Sequence, residues 1–266
     1  MNTRISFGQF YPADSYIHKL DPRVKLVSVF IYIVMIFAVE SVPSYFFVMS
    51  CLFVAMYASH VPFRFVMRGL RAIWFMMFFT VALNIFFTPS DEYLVHFYFI
   101  KISADGLVFA AKMAVRLFLL VTASSLLTLT TTPLSLSDAI EFLLKPLAKI
   151  GFPAAEVAMM MTISLRFIPT LMDETDKIIK AQKARGADFE TGSIMKRVQM
   201  LVPILVPLFV SAFRRAEELA TAMEARCYRP ESPRTKMKAL KFERIDYIAV
   251  VCVIVFIPLV IVSRNL

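Results

Sequence analysis

Two short stretches that share the pattern Ala-x-x-Ala-Arg, Ala181-Gln182-Lys183-Ala184-Arg185-Gly186 and Ala222-Met223-Glu224-Ala225-Arg226-Cys227, lie 41 residues apart. Apolar residues recur at three- and four-residue steps before each of them, which predicts two amphipathic α-helices. The last carbonyls of a helix lack internal partners and the helix dipole is negative there, so a terminal arginine is favoured. We therefore predict that the chain is organised around two helices that each end in an arginine. The two helices form a weak internal repeat.

The first of these helices is predicted to begin at Pro153 and to bend at Pro169. Its polar face carries the acid-first pairs Asp173/Lys177 and Asp176/Lys180 at the favourable i, i+4 spacing, so this face is predicted to meet water. The neighbouring acidic cluster, residues 173–176, is interpreted as solvation of the same face.

In the second helix, Pro203 and Pro207 are expected to break the apolar stretch at its entrance. The apolar stripes of the two helices are candidate packing surfaces for each other, for the membrane or for a partner's helix. Their selected members are Met160, Met161, Leu165, Ile168, Leu171, Met172, Phe209 and Phe213.

The remainder of the chain has the composition of a membrane protein. Of 266 residues, 59% are hydrophobic, a share that a soluble domain cannot readily bury. We predict an all-α membrane protein with about five transmembrane helices, at 26–39, 44–59, 72–87, 106–129 and 247–262, plus amphipathic helices in the cytoplasm. The predicted regions are 1–132 with four spans, 133–246 with the amphipathic helices, and 247–266 with the last span.

Basic residues indicate how the spans are oriented. Of the 29 lysines and arginines, 4 precede the first span, 3 lie in a predicted loop at 60–71, and 18 lie between residues 133 and 246. The positive-inside rule then places the N-terminus and region 133–246 in the cytoplasm and the C-terminus outside. Since the net charge of +9 is concentrated beside apolar segments, it reports topology and does not predict nucleic-acid binding.

Several other features have modest interpretations. Residues 93–103 alternate aromatic and aliphatic side chains; a short strand fits, but a segment along the membrane interface is preferred. Lys112 and Arg116 share one helical face, and they either snorkel to the interface or pack against another helix or a partner. The three cysteines form no CxxC motif and the three histidines are scattered, so no metal, cofactor or catalytic residue is predicted.

A set of motifs along the chain resembles the transmembrane T component of energy-coupling factor (ECF) transporters. The matching stretches are Gly8 to Pro12 with Asp14-Ser15, His18 to Leu26, Thr131 to Pro133, Leu144 to Leu147, Leu165 to Pro169, Ala181 to Gly186, and Ala225 to Cys227. The resemblance covers essentially the whole chain. In that family, glycine is usual where Cys227 stands, so we expect the second helix to end without a left-handed cap.

The resemblance implies a non-catalytic scaffold of a multi-pass cell-membrane importer for vitamins or metals. Its two arginine-ended coupling helices would dock on two cytoplasmic ATPase subunits, which form either a homodimer or a heterodimer. The docking residues would be Ala184, Arg185 and Gly186 in the first helix and Ala225, Arg226 and Cys227 in the second. The bilayer part would hold a separate substrate-binding S component, which ATP hydrolysis by the ATPases would reorient.

Two other functions fit less well. A self-sufficient channel or secondary transporter would favour an inverted repeat of the spans and paired polar positions within them. The odd number of predicted spans does not fit an inverted repeat. A membrane enzyme would need clustered histidines or acids at a membrane face. Solute flux through the purified chain alone would favour the first of these alternatives.

Overall fold

The computed structural model describes residues 10–39, 41–87, 93–97, 100–187, 194–229 and 242–264. The chain divides into two compact units: residues 1–139 with 240–266, here called the membrane unit, and residues 140–239, here called the middle unit. The turn predicted at 88–92 and the beginning of the motif at 8–12 lie outside the described residues.

Helices make up most of the described chain. The membrane unit contains α1 (Tyr16–Lys19), α2 (Pro22–Ala38), α3 (Val42–Ser59), α4 (Phe63–Phe87), α5 (Ala104–Thr130) and α9 (Arg244–Arg264). It also contains an antiparallel hairpin of β1 (Tyr93–Phe97) and β2 (Ile100–Ser103). After α6 (Pro133–Leu144) come a 3-10 helix (Lys145–Ile150), α7 (Ala154–Ala184) and α8 (Ile194–Ala225).

The predicted all-α membrane fold is confirmed. By length and apolarity, Val42–Ser59, Asp105–Thr130, Ala154–Ala184 and Arg244–Ser263 could each cross a bilayer, and α7 is the least apolar of the four. A fifth span is formed if Phe63–Arg71 and Ile73–Ile85, which meet at 61°, count as one. Helix α2, the first predicted span, has 17 residues, slightly fewer than a bilayer core requires.

Three local predictions were wrong. The basic stretch predicted as a loop at 60–71 is helical from Phe63, because its arginines alternate with residues that continue the apolar pattern. Helix α8 runs unbroken through Pro203 and Pro207, so these residues cost hydrogen bonds without ending the helix. Tyr93–Phe97 and Ile100–Ser103 form two paired strands, and a strand was the alternative that we had ranked second.

The apolar core of the membrane unit joins four of its helices. Ile36 of α2, Val48 of α3, Leu119 of α5 and Val260 of α9 are each at most 2% exposed and belong to one cluster. Against α5, helix α4 approaches closely at Gly69, where a Cβ atom would lie 2.7 Å from Ser125 Oγ. Small residues at such contacts are typical of membrane helix packing.

Arg116 is held by other parts of the membrane unit. Its Nη2 donates to the backbone carbonyl of Val39 at 3.2 Å and to the hydroxyl of Tyr45 at 3.1 Å. The guanidinium also lies over the ring of Phe37, with its Cζ 5.7 Å from the ring centroid. Of the two interpretations of this cation, the packed contact with other helices is the one that the structure shows.

One buried carboxylate joins the N-terminal ends of α2 and α9. Asp246 is 1% exposed. Its Oδ2 accepts from the backbone N–H of Glu243 at 2.7 Å, as the acid of a capping box does at the start of a helix. Its Oδ1 accepts from the backbone N–H of Asp21 at 2.7 Å, and Asp21 itself caps α2 by accepting from Arg23 N–H. We call this arrangement the Asp246 cap.

Lys25 ties the end of α5 to the same place. Its Nζ donates to the carbonyl of Thr130 and to the carbonyl of His18, each at 3.0 Å. The starts of α2 and α9 and the end of α5 therefore meet at one end of the membrane unit. At the other end, Ser44 Oγ and Ser263 Oγ are 2.9 Å apart and join the start of α3 to the end of α9.

His18 holds the N-terminal segment against itself through both ring nitrogens. The carbonyl of Tyr11 can only accept, so Nε2 of the ring donates to it at 2.9 Å, and Nδ1 accepts from the Ser15 hydroxyl at 2.7 Å. Burial lowers the pKa of His18, and the nearby Lys25 lowers it further. Both effects favour the neutral ring that this tautomer requires.

Replacing Asp246 by alanine should destabilise the membrane unit, because the buried N–H of Asp21 and the partly buried N–H of Glu243 would lose their acceptor. An unsatisfied buried donor costs roughly 1–3 kcal/mol. Asp246→Asn, which can accept at one oxygen, should have a smaller effect. Thermal unfolding in detergent measures both. Asp173→Ala, at an exposed position of α7, is the control and should leave the transition unchanged. An Asp246→Ala variant as stable as this control would contradict the structural role of the cap.

Candidate functional site

Helices α7 and α8 pack as an antiparallel pair. Tyr228, just after the end of α8, places its hydroxyl 2.9 Å from the Sδ of Met159, near the start of α7. Further along, Glu174 of α7 accepts from the Ser211 hydroxyl at 2.5 Å and pairs with Arg215 Nη2 at 3.1 Å. Because both charged side chains are partly exposed, this ion pair contributes about 1 kcal/mol or less, and it chiefly fixes the register of the helices.

A predominantly apolar groove of about 410 Å³ runs between the two helices. On the α7 side it is lined by Ile163, Phe167 and Leu171. The residues of α8 that line it include Ala212, Ala216, Leu219, Ala220 and Met223. The small alanines let α7 approach, and of the stripe residues singled out from the sequence, Leu171 lies in this groove.

The other stripe residues that we singled out lie elsewhere on the pair. Met161, Leu165, Ile168 and Met172 are half-buried, and they do not line the groove. Met160, Phe209 and Phe213 are exposed to 58%, 58% and 73%, so contacts within the described residues leave most of their apolar surface uncovered.

The first arginine stretch ends α7 in a Schellman motif. The N–H of Gly186 donates to the carbonyl of Lys183 at 3.0 Å, and the N–H of Ala187 donates to the carbonyl of Gln182 at 3.0 Å. Gly186 has φ 88°, the left-handed conformation that this motif needs and that glycine adopts without strain. Arg185 is thus the last residue before the chain turns away from the helix axis.

The second stretch ends α8 in the same way. Cys227 N–H donates to Glu224 O at 2.8 Å and Tyr228 N–H donates to Met223 O at 3.0 Å. The expectation that α8 lacks a left-handed cap was wrong: Cys227 itself has φ 55°. A non-glycine residue in this region costs roughly 1–2 kcal/mol, which the two capping bonds and the packing of Tyr228 offset.

Both arginine stretches are open to solvent. Ala184, Arg185 and Gly186 are exposed, as are Ala225, Arg226 and Cys227. Neither the Arg185 nor the Arg226 guanidinium forms an ion pair or a side-chain hydrogen bond with another described residue. Each helix end therefore presents a cation with five N–H donors beside the negative end of the helix dipole, an arrangement that can bind carboxylates on another molecule.

The two arginines are placed equivalently about the ion pair that joins the helices. Arg185 follows Glu174 by 11 residues and Arg226 follows Arg215 by 11 residues, so each lies about 16 Å along its helix from the pair. Since α7 and α8 run antiparallel, the two arginines lie at opposite ends of the pair. Their separation along the helix direction is therefore about 33 Å.

Sequence reasoning missed the residues that join the helices. Glu174 was interpreted as solvation of α7, and its pairing with Arg215 was not predicted. The available signal was the 41-residue repeat: the same shift that relates Arg185 to Arg226 relates Glu174 to Arg215. Opposite charges at equivalent positions of two antiparallel repeats are able to pair with each other.

Replacing Cys227 by glycine should preserve the end of α8 and slow hydrogen exchange at the Tyr228 N–H, because glycine removes the strain of the positive φ angle. Replacing it by valine should speed exchange there by about tenfold, since a β-branched residue resists this conformation. Amide exchange followed by NMR or mass spectrometry measures both. Cys252→Val, at a helical position in α9, is the control. Equal exchange in the glycine and valine variants would show that the left-handed turn does not exist in solution.

Comparisons with known proteins agree over nearly the whole chain. Residues 13–237 match the CbiQ family, described as cobalt transport protein. An energy-coupling factor transporter transmembrane protein EcfT from Clostridium kluyveri is 52% identical over 98% of this chain and 97% of its own length. A protein of the same name from Ruminiclostridium cellulolyticum is 48% identical over 98% of this chain and 97% of its own length. Another from Limosilactobacillus fermentum is 45% identical over 100% of both chains. The chain therefore belongs to the CbiQ family, among the transmembrane proteins of energy-coupling factor transporters.

Proposed function

We propose that this chain is the scaffold subunit of an ECF-type importer that couples ATP hydrolysis by two cytoplasmic ATPase subunits to reorientation of an S component. The imported solute would be a vitamin or a metal ion, bound by the S component. The chain itself would carry out no reaction. Its membership of a transporter family supports the general role, and the arginine-ended helices support the coupling mechanism.

The observation that carries the proposal is the pair of equivalent helix ends. Arg185 and Arg226 each precede a left-handed residue in the same hydrogen-bonded turn, and each is exposed. A single arginine of this kind would be explained as a favourable helix cap. Two at equal distances from one ion pair fit two similar partner surfaces, as a dimer of ATPase subunits would present.

Guanidinium chemistry defines what those surfaces should contain. A planar fork of donors binds a carboxylate through two parallel hydrogen bonds, whereas a lysine ammonium would act as a point charge. Each ATPase subunit should therefore offer an acidic cleft. Movement of the two clefts relative to each other would be transmitted through α7 and α8, which the Glu174–Arg215 pair and the groove contacts hold in register.

The membrane unit supports the orientation that we propose. The Asp246 cap and Lys25 bring the starts of α2 and α9 and the end of α5 to the same end of this unit. The chain therefore leaves the membrane unit after α5 and returns to it at α9 by the same end, which also carries the start of α2. The positive-inside rule supports a cytoplasmic location for the N-terminus and region 133–246, with the C-terminus outside.

Exposed apolar side chains of the middle unit are candidates for contact with the S component or the membrane. Phe209 and Phe213 lie four residues apart on one face of α8, and Met160 lies near the start of α7. Residues of this size are rarely left in water in such numbers without a partner.

The double variant Arg185→Glu/Arg226→Glu should abolish copurification of the chain with its ATPase subunits, because each reversed charge would face an acidic cleft. Each single variant should retain partial assembly through the remaining helix end. Affinity purification from membranes, with ATP-dependent uptake measured in parallel, gives the result.

Arg166→Glu is the matched control, since it reverses an exposed arginine on α7 away from the helix ends. It should leave assembly and uptake unchanged. Normal assembly of the double variant would rule out docking through these arginines. Loss of assembly in the control as well would show that a general loss of positive charge, not the two helix ends, is responsible.

A further inference from the structure

Residues 142–153, between α6 and α7, form an exposed tip that the proposed docking of the arginines does not use. Within it, Ile150 is 87% exposed, Leu147 42% and Phe152 39%. All six residues of the 3-10 helix are exposed. The stretch contains Lys145 and Lys149 and no acidic residue. The tip is thus both apolar and cationic.

The 3-10 geometry sorts these side chains. With three residues per turn, residues three apart lie along one edge of the helix. Leu147 and Ile150 therefore share an edge, and Lys145 and Lys149 lie on the two edges that flank it. An apolar edge with a lysine on each side is the pattern of a segment that lies in a membrane interface, where lysine stems extend toward the headgroups.

The tip is held in this form by the same turn that ends α7 and α8. Gly151 has φ 89°, its N–H donates to Ala148 O at 3.1 Å, and Phe152 N–H donates to Leu147 O at 3.2 Å. Behind the tip, Ala154 and Ala158 at the start of α7 are buried. The apolar side chains are consequently presented by a fixed turn and do not depend on a partner to order them.

We propose that this tip inserts into the interface of a bilayer that contains anionic phospholipid. Leu147 and Ile150 enter the acyl region, and Lys145 and Lys149 contact headgroup phosphates. Charge complementarity favours this occupant over an apolar protein groove, because both cations flank the apolar edge and each requires an anion or water. The inference depends on the proposed function only in placing region 133–246 beside the membrane.

The test uses the full chain in nanodiscs of phosphatidylcholine, with or without phosphatidylglycerol. An environment-sensitive fluorescent amino acid replaces Ala148, which leaves Leu147 and Ile150 intact, and a second preparation carries it at Lys180 on an exposed position of α7. Lipids with a quencher on the acyl chain should quench the probe at 148 and not at 180. Iodide in the buffer should show the opposite preference.

Two further variants separate the apolar and ionic contributions. Leu147→Ser/Ile150→Ser should abolish quenching by lipid in both kinds of nanodisc. Lys145→Glu/Lys149→Glu should reduce it specifically in those with phosphatidylglycerol. Both variants should still copurify with the ATPase subunits, so their effects are distinguishable from a failure of the arginine docking.

Several results would overturn the inference. A probe at 148 that iodide reaches as easily as at 180 would place the tip in water. Shielding that develops only when other transporter subunits are added would assign the tip to a protein partner. Identical lipid quenching of the lysine variant and the parent would remove the role of anionic phospholipid.

Discussion

The last carbonyls of a helix must find donors, and in the middle unit this requirement fixes where the two arginines proposed for docking lie. At Gly186 and Cys227 the chain turns into the left-handed conformation and returns two N–H groups to the helix that it has just left. A residue immediately before such a turn is the outermost of its helix. That position is occupied by Arg185 in one helix and by Arg226 in the other, so a backbone constraint places both cations on exposed ends.

A second backbone requirement organises the membrane unit. Asp246 accepts hydrogen bonds from the N–H of Glu243, at the start of α9, and from the N–H of Asp21, at the start of α2. Asp21 and Asp246 are 225 residues apart in the sequence. In a medium with little water, unsatisfied backbone donors are costly, and one carboxylate here satisfies two of them. The Nζ of Lys25 donates a hydrogen bond to the backbone carbonyl of Thr130, at the end of α5. The chain is thereby fixed on both sides of region 133–246.

Local patterns predicted much of this architecture. The apolar runs at 44–59, 106–129 and 247–262 correspond to α3, α5 and α9, because helices in lipid need long apolar stretches and little else. The arginine ends of α7 and α8 were also predicted from the sequence, since helix ends have a local chemistry. Continuation of α8 through its prolines was not predictable in the same way, because neighbouring contacts decide whether a proline ends a helix or is tolerated within it.

Contacts distant in sequence were the part that the residues alone did not reveal. Nothing local distinguishes Asp246 from any acid in the first turn of a helix, or Glu174 from the exposed acids beside it. Cys227 shows the converse: the resemblance to a family with glycine at this position predicted a helix end without a left-handed cap, yet two hydrogen bonds hold a cysteine in the conformation that glycine prefers. The preference of one residue is worth about 1–2 kcal/mol and can be overridden by the turn around it.

Site-specific photocrosslinking tests the central claim most directly. A photoreactive amino acid at Ala184 or Ala225, each next to an intact arginine, would be activated in native membranes and its crosslinked partners identified by mass spectrometry. The account predicts that both positions crosslink to ATPase subunits, one subunit for each helix end. The same photoreactive amino acid placed at position 166 should give no such crosslink. Crosslinks from both helix ends only to lipid or to the chain itself would contradict it.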